Sequence, residues 1–206
     1  MIYPLDDGLA AATDAVAAGD CIVFPTDTVY GIGADAFSPQ AVQRLLDAKR
    51  RGRDMPPPVL LPDADMLQAV AADVPAAATK LAAAFWPGAL TLILRAALPL
   101  DLGDRRETIA VRVPAHEGAR ALLRSTGLLA VSSANVSGQP PATTVQQARA
   151  MLGDSVAVYL DGGPTPGDTP STIVDLIGSP RVVRAGVIGL DALRAVWPDL
   201  APVQEA

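Results

Sequence analysis

The ten residues Phe24-Pro25-Thr26-Asp27-Thr28-Val29-Tyr30-Gly31-Ile32-Gly33 decide how the rest of the chain is read. Residues 21–24 form a short apolar run and read as a buried strand. The run meets a proline, and then two threonines and a tyrosine stand before two glycines. Hydroxyl groups massed at the end of a buried strand cost desolvation unless something bonds to them. Loops beyond strand ends are also where α/β sheets place their ligands. The stretch is therefore the first candidate for chemistry.

Working outward, helices and strands interleave. Residues 5–18 are alanine-rich with Gly19 at a capping position, and Ser38-Pro39 opens a helix with Ala41, Val42, Leu45 and Leu46 on one face. Pro56-Pro57-Pro58 forces an extended path into a strand at 59–61. Residues 63–72 and 75–85 read as helices, and 90–94 and 109–113 as strands. The last two are joined by a polar connection holding Asp101, Asp104, Arg105, Arg106 and Glu107. Further helices are expected at 117–124, 145–152 and 190–196, and strands at 128–132, 156–160, 172–174 and 181–184. With no internal repeat, this alternation predicts a single α/β domain, a twisted mixed sheet with helices packed on it.

The chain has 206 residues, one cysteine and one histidine, with a net charge of −6. No apolar run reaches the roughly 18–20 residues that span a bilayer, and residues 1–7 lack the pattern of a signal peptide. A cytoplasmic protein with no membrane partner is expected. Cys21 among apolar neighbours reads as an inert thiol, and His116 as a surface residue at a helix start. Zinc, a P-loop and a Gly-x-Ser-x-Gly elbow are all missing from the pattern. The acidic balance argues against general nucleic-acid binding.

Five places hold polar groups with two open readings each. Lys49 and Arg51 follow the second helix. On extended chain they share a side and can meet one anion, or they form a solvated basic turn at a helix C-terminus. Ser133, Asn135 and Ser137 follow a strand and offer hydroxyl and amide groups to a ligand, or bond to their own turn. In Ile109-Ala110-Val111-Arg112-Val113 the alternation turns Arg112 away from its apolar neighbours. It then needs an anionic partner, either a protein carboxylate or a substrate. Arg184 invites the same two readings, and Ser171-Thr172 are a cap or a phosphate-contacting pair.

Taken in order, seven segments resemble the YrdC-like family, whose best-known members are threonylcarbamoyl-AMP synthases. They are Pro25-Thr26-Asp27-Thr28-Val29-Tyr30-Gly31, Lys49-Arg50-Arg51, Phe85-Trp86-Pro87-Gly88-Ala89-Leu90-Thr91, Val111-Arg112-Val113-Pro114, Ser133-Ala134-Asn135-Val136-Ser137-Gly138, Ser171-Thr172-Ile173-Val174-Asp175 and Arg184-Ala185-Gly186. The resemblance implies a YrdC-like catalytic domain over 1–187, with a C-terminal helix and tail at 188–206. It implies that ATP, with its Mg2+, L-threonine and bicarbonate or CO2 give threonylcarbamoyl-AMP and pyrophosphate. Downstream threonylcarbamoyl-transfer proteins then modify tRNA.

By position, Lys49 and Arg51 would act on the phosphates or the carbamate as the catalytic pair. Thr28, Tyr30, Arg112 and Ser171 would bind threonine, Arg112 through its carboxylate. Thr108, Ser133, Asn135 and Arg184 would join Lys49 and Arg51 around ATP, with no protein-bound metal. Where many members carry a lysine and a histidine, this chain has Met55 and Leu60. A paralogue with another carbamoyl-type substrate, or a double-stranded RNA-binding module, are the alternative readings.

Overall fold

The computed structural model describes residues 1–104 and 107–203, so Arg105 and Arg106 of the expected polar connection lie outside the described residues. In chain order the elements are β1 (Ile2–Pro4), α1 (Leu9–Ala17), β2 (Ile22–Phe24), β3 (Gly31–Asp35), α2 (Pro39–Ala48), β4 (Val59–Leu60), α3 (Leu67–Val70), β5 (Ala71–Ala72) and α4 (Ala76–Phe85). There follow β6 (Leu90–Ala96), β7 (Thr108–Arg112), α5 (Glu117–Thr126), β8 (Leu129–Ser133), α6 (Val145–Leu152), β9 (Val158–Asp161), β10 (Thr172–Asp175), β11 (Arg181–Arg184) and α7 (Leu190–Val196). One mixed sheet runs β1-β9-β2-β3-β8-β4-β7-β6-β10-β11, with β5 added on β6.

Helix starts follow the chemistry of their first residues. The Ser38 hydroxyl accepts the Ala41 N–H at 3.2 Å, with Pro39 in the first turn of α2. Thr144 caps α6 through the Gln147 N–H. His116 caps α5, its Nδ1 accepting the Ala119 N–H at 3.2 Å. It is therefore a half-buried cap and not the surface residue expected, and burial holds its pKa below the ordinary value.

The stretch around Thr26 is the connection of an antiparallel pair, β2 with β3. A strand at β3, with its two glycines, was not expected. They are needed for packing: a Cβ at Gly31 would lie 2.8 Å from Val131, and one at Gly33 2.9 Å from Phe24. Residues 63–72 are not one helix either. A 3-10 turn and the four-residue α3 end at β5, which pairs with β6. Beyond 188 the chain is part of the core, with Leu193 and Leu200 buried in the main cluster and Ala201 bridged to Arg181.

Strand alternation divides the core in two. Val23, Ala130, Val111, Leu92 and Val174 face a large cluster shared with α2, α4, α6 and α7. Ile22, Phe24, Leu129, Val131 and Leu160 face the opposite way, under Ala12 and Val16 of α1 and Leu122 and Leu123 of α5. No described member of this second cluster comes from β7, β6, β10 or β11. Along those strands the same face carries Thr91, Ala110 and Arg112 together with Ile93, Ile173 and Val183, and it floors a cavity.

A buried lysine fixes one wall of that cavity. Lys49 ends α2 in a helical conformation and Arg50 is left-handed at φ 51°, so the chain turns sharply instead of running extended. The Lys49 ammonium, in a residue only 2% exposed, donates to Ser133 O, to Asn135 O at 2.8 Å and to Asn135 Oδ1 at 3.4 Å. In return the Ser137 N–H donates to Lys49 O at 2.9 Å. Burial, then the charge of Arg51, pull the ammonium down to about 7, so these oxygen acceptors help keep a proton on it near neutral pH. Lys49→Met would leave the Asn135 carbonyl without its donor, while Ser133 O would keep the Asn135 N–H. We expect a loss of about 2 kcal/mol, read by thermal denaturation as a fall of roughly 4–8 °C. An unchanged midpoint would show that the strap carries no stability.

Candidate active site

The cavity measures about 440 Å³ and lies between the uncovered sheet face, the β2–β3 connection, the 51–58 segment and the ends of β8 and β11. That volume falls within the range of small-molecule sites. Its floor is Arg112, 6% exposed. Nη2 pairs with Asp27 Oδ1 at 2.6 Å, Nη1 donates to Thr28 Oγ1 at 3.0 Å, and Nε donates to Gly88 O at 2.9 Å. Of the two partners left open by the sequence, the structure thus supplies a protein carboxylate, Asp27. Three of the five guanidinium N–H groups are committed, and one remains on each Nη.

Two more arginines line the same cavity. Arg51 Nη1 donates to Ser132 Oγ at 3.1 Å, while its buried Nε has no hydrogen-bond partner among the described residues. Arg184 reaches Ser171, through Nε and Nη2 to the carbonyl and through Nη2 to Oγ at 3.1 Å. Burial holds both guanidinium pKa values below the ordinary one, and for Arg184 the charges of Arg112 and Arg51 add to the effect. Asp54 is the one carboxylate among the described lining residues. Positive charge concentrated this way in an acidic chain needs an anion to offset it.

Of the residues read from the sequence, Thr28, Arg51, Thr108, Arg112, Ser133, Ser171 and Arg184 line this one cavity. Three others belong to its support. Lys49 does not share an anion with Arg51, because the turn at Arg50 separates them and the ammonium is taken up by the loop after β8. Asn135 is buried and bonds within that loop, its Nδ2 donating to Val136 O and Gln139 O and its Oδ1 accepting from Lys49. Tyr30 borders the cavity, yet its hydroxyl donates to Gly163 O at 2.7 Å and accepts the Gly162 N–H. It pins the start of the 161–170 loop.

The sequence reading missed Asp27, Thr91 and Ser132. Asp27 was within reach, since a buried arginine requires a carboxylate and this aspartate stands beside Thr28. Thr91 could have been found from the alternation of β6, which places Leu90 and Leu92 in the core and Thr91 on the cavity side. Met55, 51% exposed, and Leu60, buried, both line the cavity, so the missing lysine and histidine are replaced by apolar wall. No group of three metal-ligating side chains occurs among the described residues. No helix among the described residues is long and apolar enough to cross a membrane.

The family described as "Telomere recombination" (Sua5_yciO_yrdC) matches residues 14–186. A relative from Mycobacterium tuberculosis strain H37Rv is 50% identical over 192 residues, covering 92% of this chain and 88% of its own. The threonylcarbamoyl-AMP synthase of Bacillus subtilis strain 168 is 37% identical over 196 residues, covering 93% of this chain and 57% of that protein. Among solved structures, Pyrococcus abyssi Sua5 in complex with L-threonine superposes with a TM-score of 0.91 at 31% identity, covering 98% of this chain and 62% of that one. This chain thus spans a little over half the length of these last two proteins. With the match running through both the sheet and the segments that build the cavity, the chain belongs to the Sua5/YciO/YrdC family.

Proposed function

We propose that this protein is a threonylcarbamoyl-AMP synthase, a nucleotidyltransferase that joins L-threonine, bicarbonate or CO2 and ATP. The observation that carries the reading is the cavity with three arginines and hydroxyl groups set among them. The likeness to the B. subtilis enzyme and to the threonine complex of P. abyssi Sua5 supports it. In the reaction the threonine amine adds to CO2 and loses a proton to give a carbamate. A carbamate oxygen then attacks the α-phosphorus, and the bond from phosphorus to the bridging oxygen breaks to release pyrophosphate. Both reactants are anions, so bringing them together is the main difficulty.

Arg51 and Arg184 offset the phosphate charge, and Mg2+, arriving with ATP, adds to this. The free Nη hydrogens of Arg112, with Ser171, hold the threonine carboxylate, while Thr28 orients the amino acid. Thr108 and Ser133 contact the nucleotide. Lys49 and Asn135 act from behind, by holding Ser133 at the end of β8, and Tyr30 by anchoring the loop that leads to Ser171. Positioning supplies most of the rate, since no protein nucleophile is needed. The product is reactive and would pass to proteins that place the threonylcarbamoyl group on tRNA.

Purified protein given ATP, Mg2+ and bicarbonate is expected to release pyrophosphate only when L-threonine is added. Release without threonine dependence would overturn the substrate assignment in favour of a paralogue using another carbamoyl-type substrate. Arg51→Ala and Arg184→Ala should each lower kcat/KM for ATP by roughly 10- to 100-fold, the scale of a lost hydrogen bond from a charged donor. Wild-type values in both variants would remove the phosphate role. Arg112→Lys should raise the threonine KM far more than the ATP KM, in steady-state assays that vary each substrate. The lysine is chosen over alanine because it keeps a charge beside Asp27.

A further inference from the structure

Thr26 and Thr91 touch the two cavity hydroxyls of Thr28 and Ser171 from behind. We infer that Thr26 and Thr91 are positioning residues that give Thr28 and Ser171 opposite polarity, so that Thr28 accepts a hydrogen bond from the amino acid and Ser171 donates one to its carboxylate. The inference rests on the proposed function for the identity of the ligand. For Thr28 the polarity follows from counting protons and lone pairs; for Ser171 it follows once a ligand carboxylate accepts its proton.

A hydroxyl has one proton and two acceptor positions. Thr26 Oγ1 donates its proton to Val29 O at 2.7 Å and accepts the Thr28 N–H at 3.2 Å. Its contact with Thr28 Oγ1, at 3.0 Å, must therefore be donated by Thr28. Thr28 also accepts from Arg112 Nη1 at 3.0 Å. One acceptor position is left, so towards the cavity Thr28 can only receive, from an N–H or an O–H. An amine or a hydroxyl of the ligand supplies that donor.

Ser171 is the mirror case. Thr91, 1% exposed, has Ser171 Oγ, 2.8 Å away, as its one side-chain hydrogen-bond partner among the described residues. Either hydroxyl can donate in this contact, and Ser171 is buried as well. Once a ligand carboxylate takes the Ser171 proton, Thr91 must donate, because its hydroxyl has no other acceptor among the described residues. Ser171 Oγ also accepts from Arg184 Nη2 at 3.1 Å. Both its acceptor positions are then filled and its one proton is left for the ligand. Beside the cations Arg184 and Arg112, that proton suits a carboxylate oxygen.

Calorimetric titration with L-threonine and three analogues tests this. Threoninol lacks the carboxylate, 2-aminobutyrate the hydroxyl, and 3-hydroxybutyrate the amine. Thr91→Val should weaken L-threonine binding about tenfold, leave threoninol binding and the ATP KM unchanged, and be rescued by Thr91→Ser. Thr26→Val should weaken L-threonine binding to a similar degree, and the penalty should vanish for whichever of 2-aminobutyrate and 3-hydroxybutyrate lacks the group that Thr28 reads. Equal losses for every ligand would assign both threonines a purely structural role and overturn the inference, as would wild-type affinity in both valine variants. If Thr26→Val fails to fold, the Thr91 pair decides. Wild-type protein that binds no L-threonine would instead overturn the functional reading, and the inference with it.

Discussion

A guanidinium placed against a sheet face must be neutralised and hydrogen-bonded, or the face will not form. Arg112 meets that requirement through Asp27, Thr28 and Gly88, which come from two different connections. The ion pair thereby ties the loop of the β2–β3 hairpin to the floor provided by β7. Loss of either partner would leave a buried charge uncompensated, at a cost of several kcal/mol. The hairpin loop keeps its shape because of this contact, and the cavity keeps its wall.

The cavity itself comes from an unequal covering of the sheet. Helices α1 and α5 bury one half of a face with Leu, Ile, Phe and Val side chains, and the other half, left uncovered, mixes threonine, alanine and arginine with Ile93, Ile173 and Val183. Small residues leave room, and the arginines fill it with charge. Lys49 belongs to the same construction from the opposite side, since its ammonium holds the loop after β8 in place. Three arginines and one carboxylate, Asp54, among the described lining residues give this space the charge that the proposed pair of anionic substrates would require.

Much of this could be read in the sequence, for identifiable reasons. The alternation of Ile109, Val111 and Val113 put Arg112 on the opposite face, as observed, although that face was expected to be covered and is instead the floor of a cavity. The Ser38-Pro39 start and the apolar face of α2 also gave that helix correctly. What could not be read depends on tertiary contact. The strand holding Gly31 and Gly33 was not read, because nothing local reveals that Val131 and Phe24 will press on these glycines. Lys49 and Arg51 were read as sharing one anion because the left-handed turn at Arg50, which separates them, has no signature in Lys-Arg-Arg. Tyr30 and Asn135 were found as polar residues near a site, but only the fold shows that their hydrogen bonds run to neighbouring loops.

A crystal structure of the protein with L-threonine and a non-hydrolysable ATP analogue would test the central claim most directly. The account predicts the threonine carboxylate within hydrogen-bond distance of Arg112 and Ser171, with the phosphates at Arg51 and Arg184 and the Arg112–Asp27 pair intact. Threonine bound away from Arg112, or phosphates turned away from both other arginines, would contradict it.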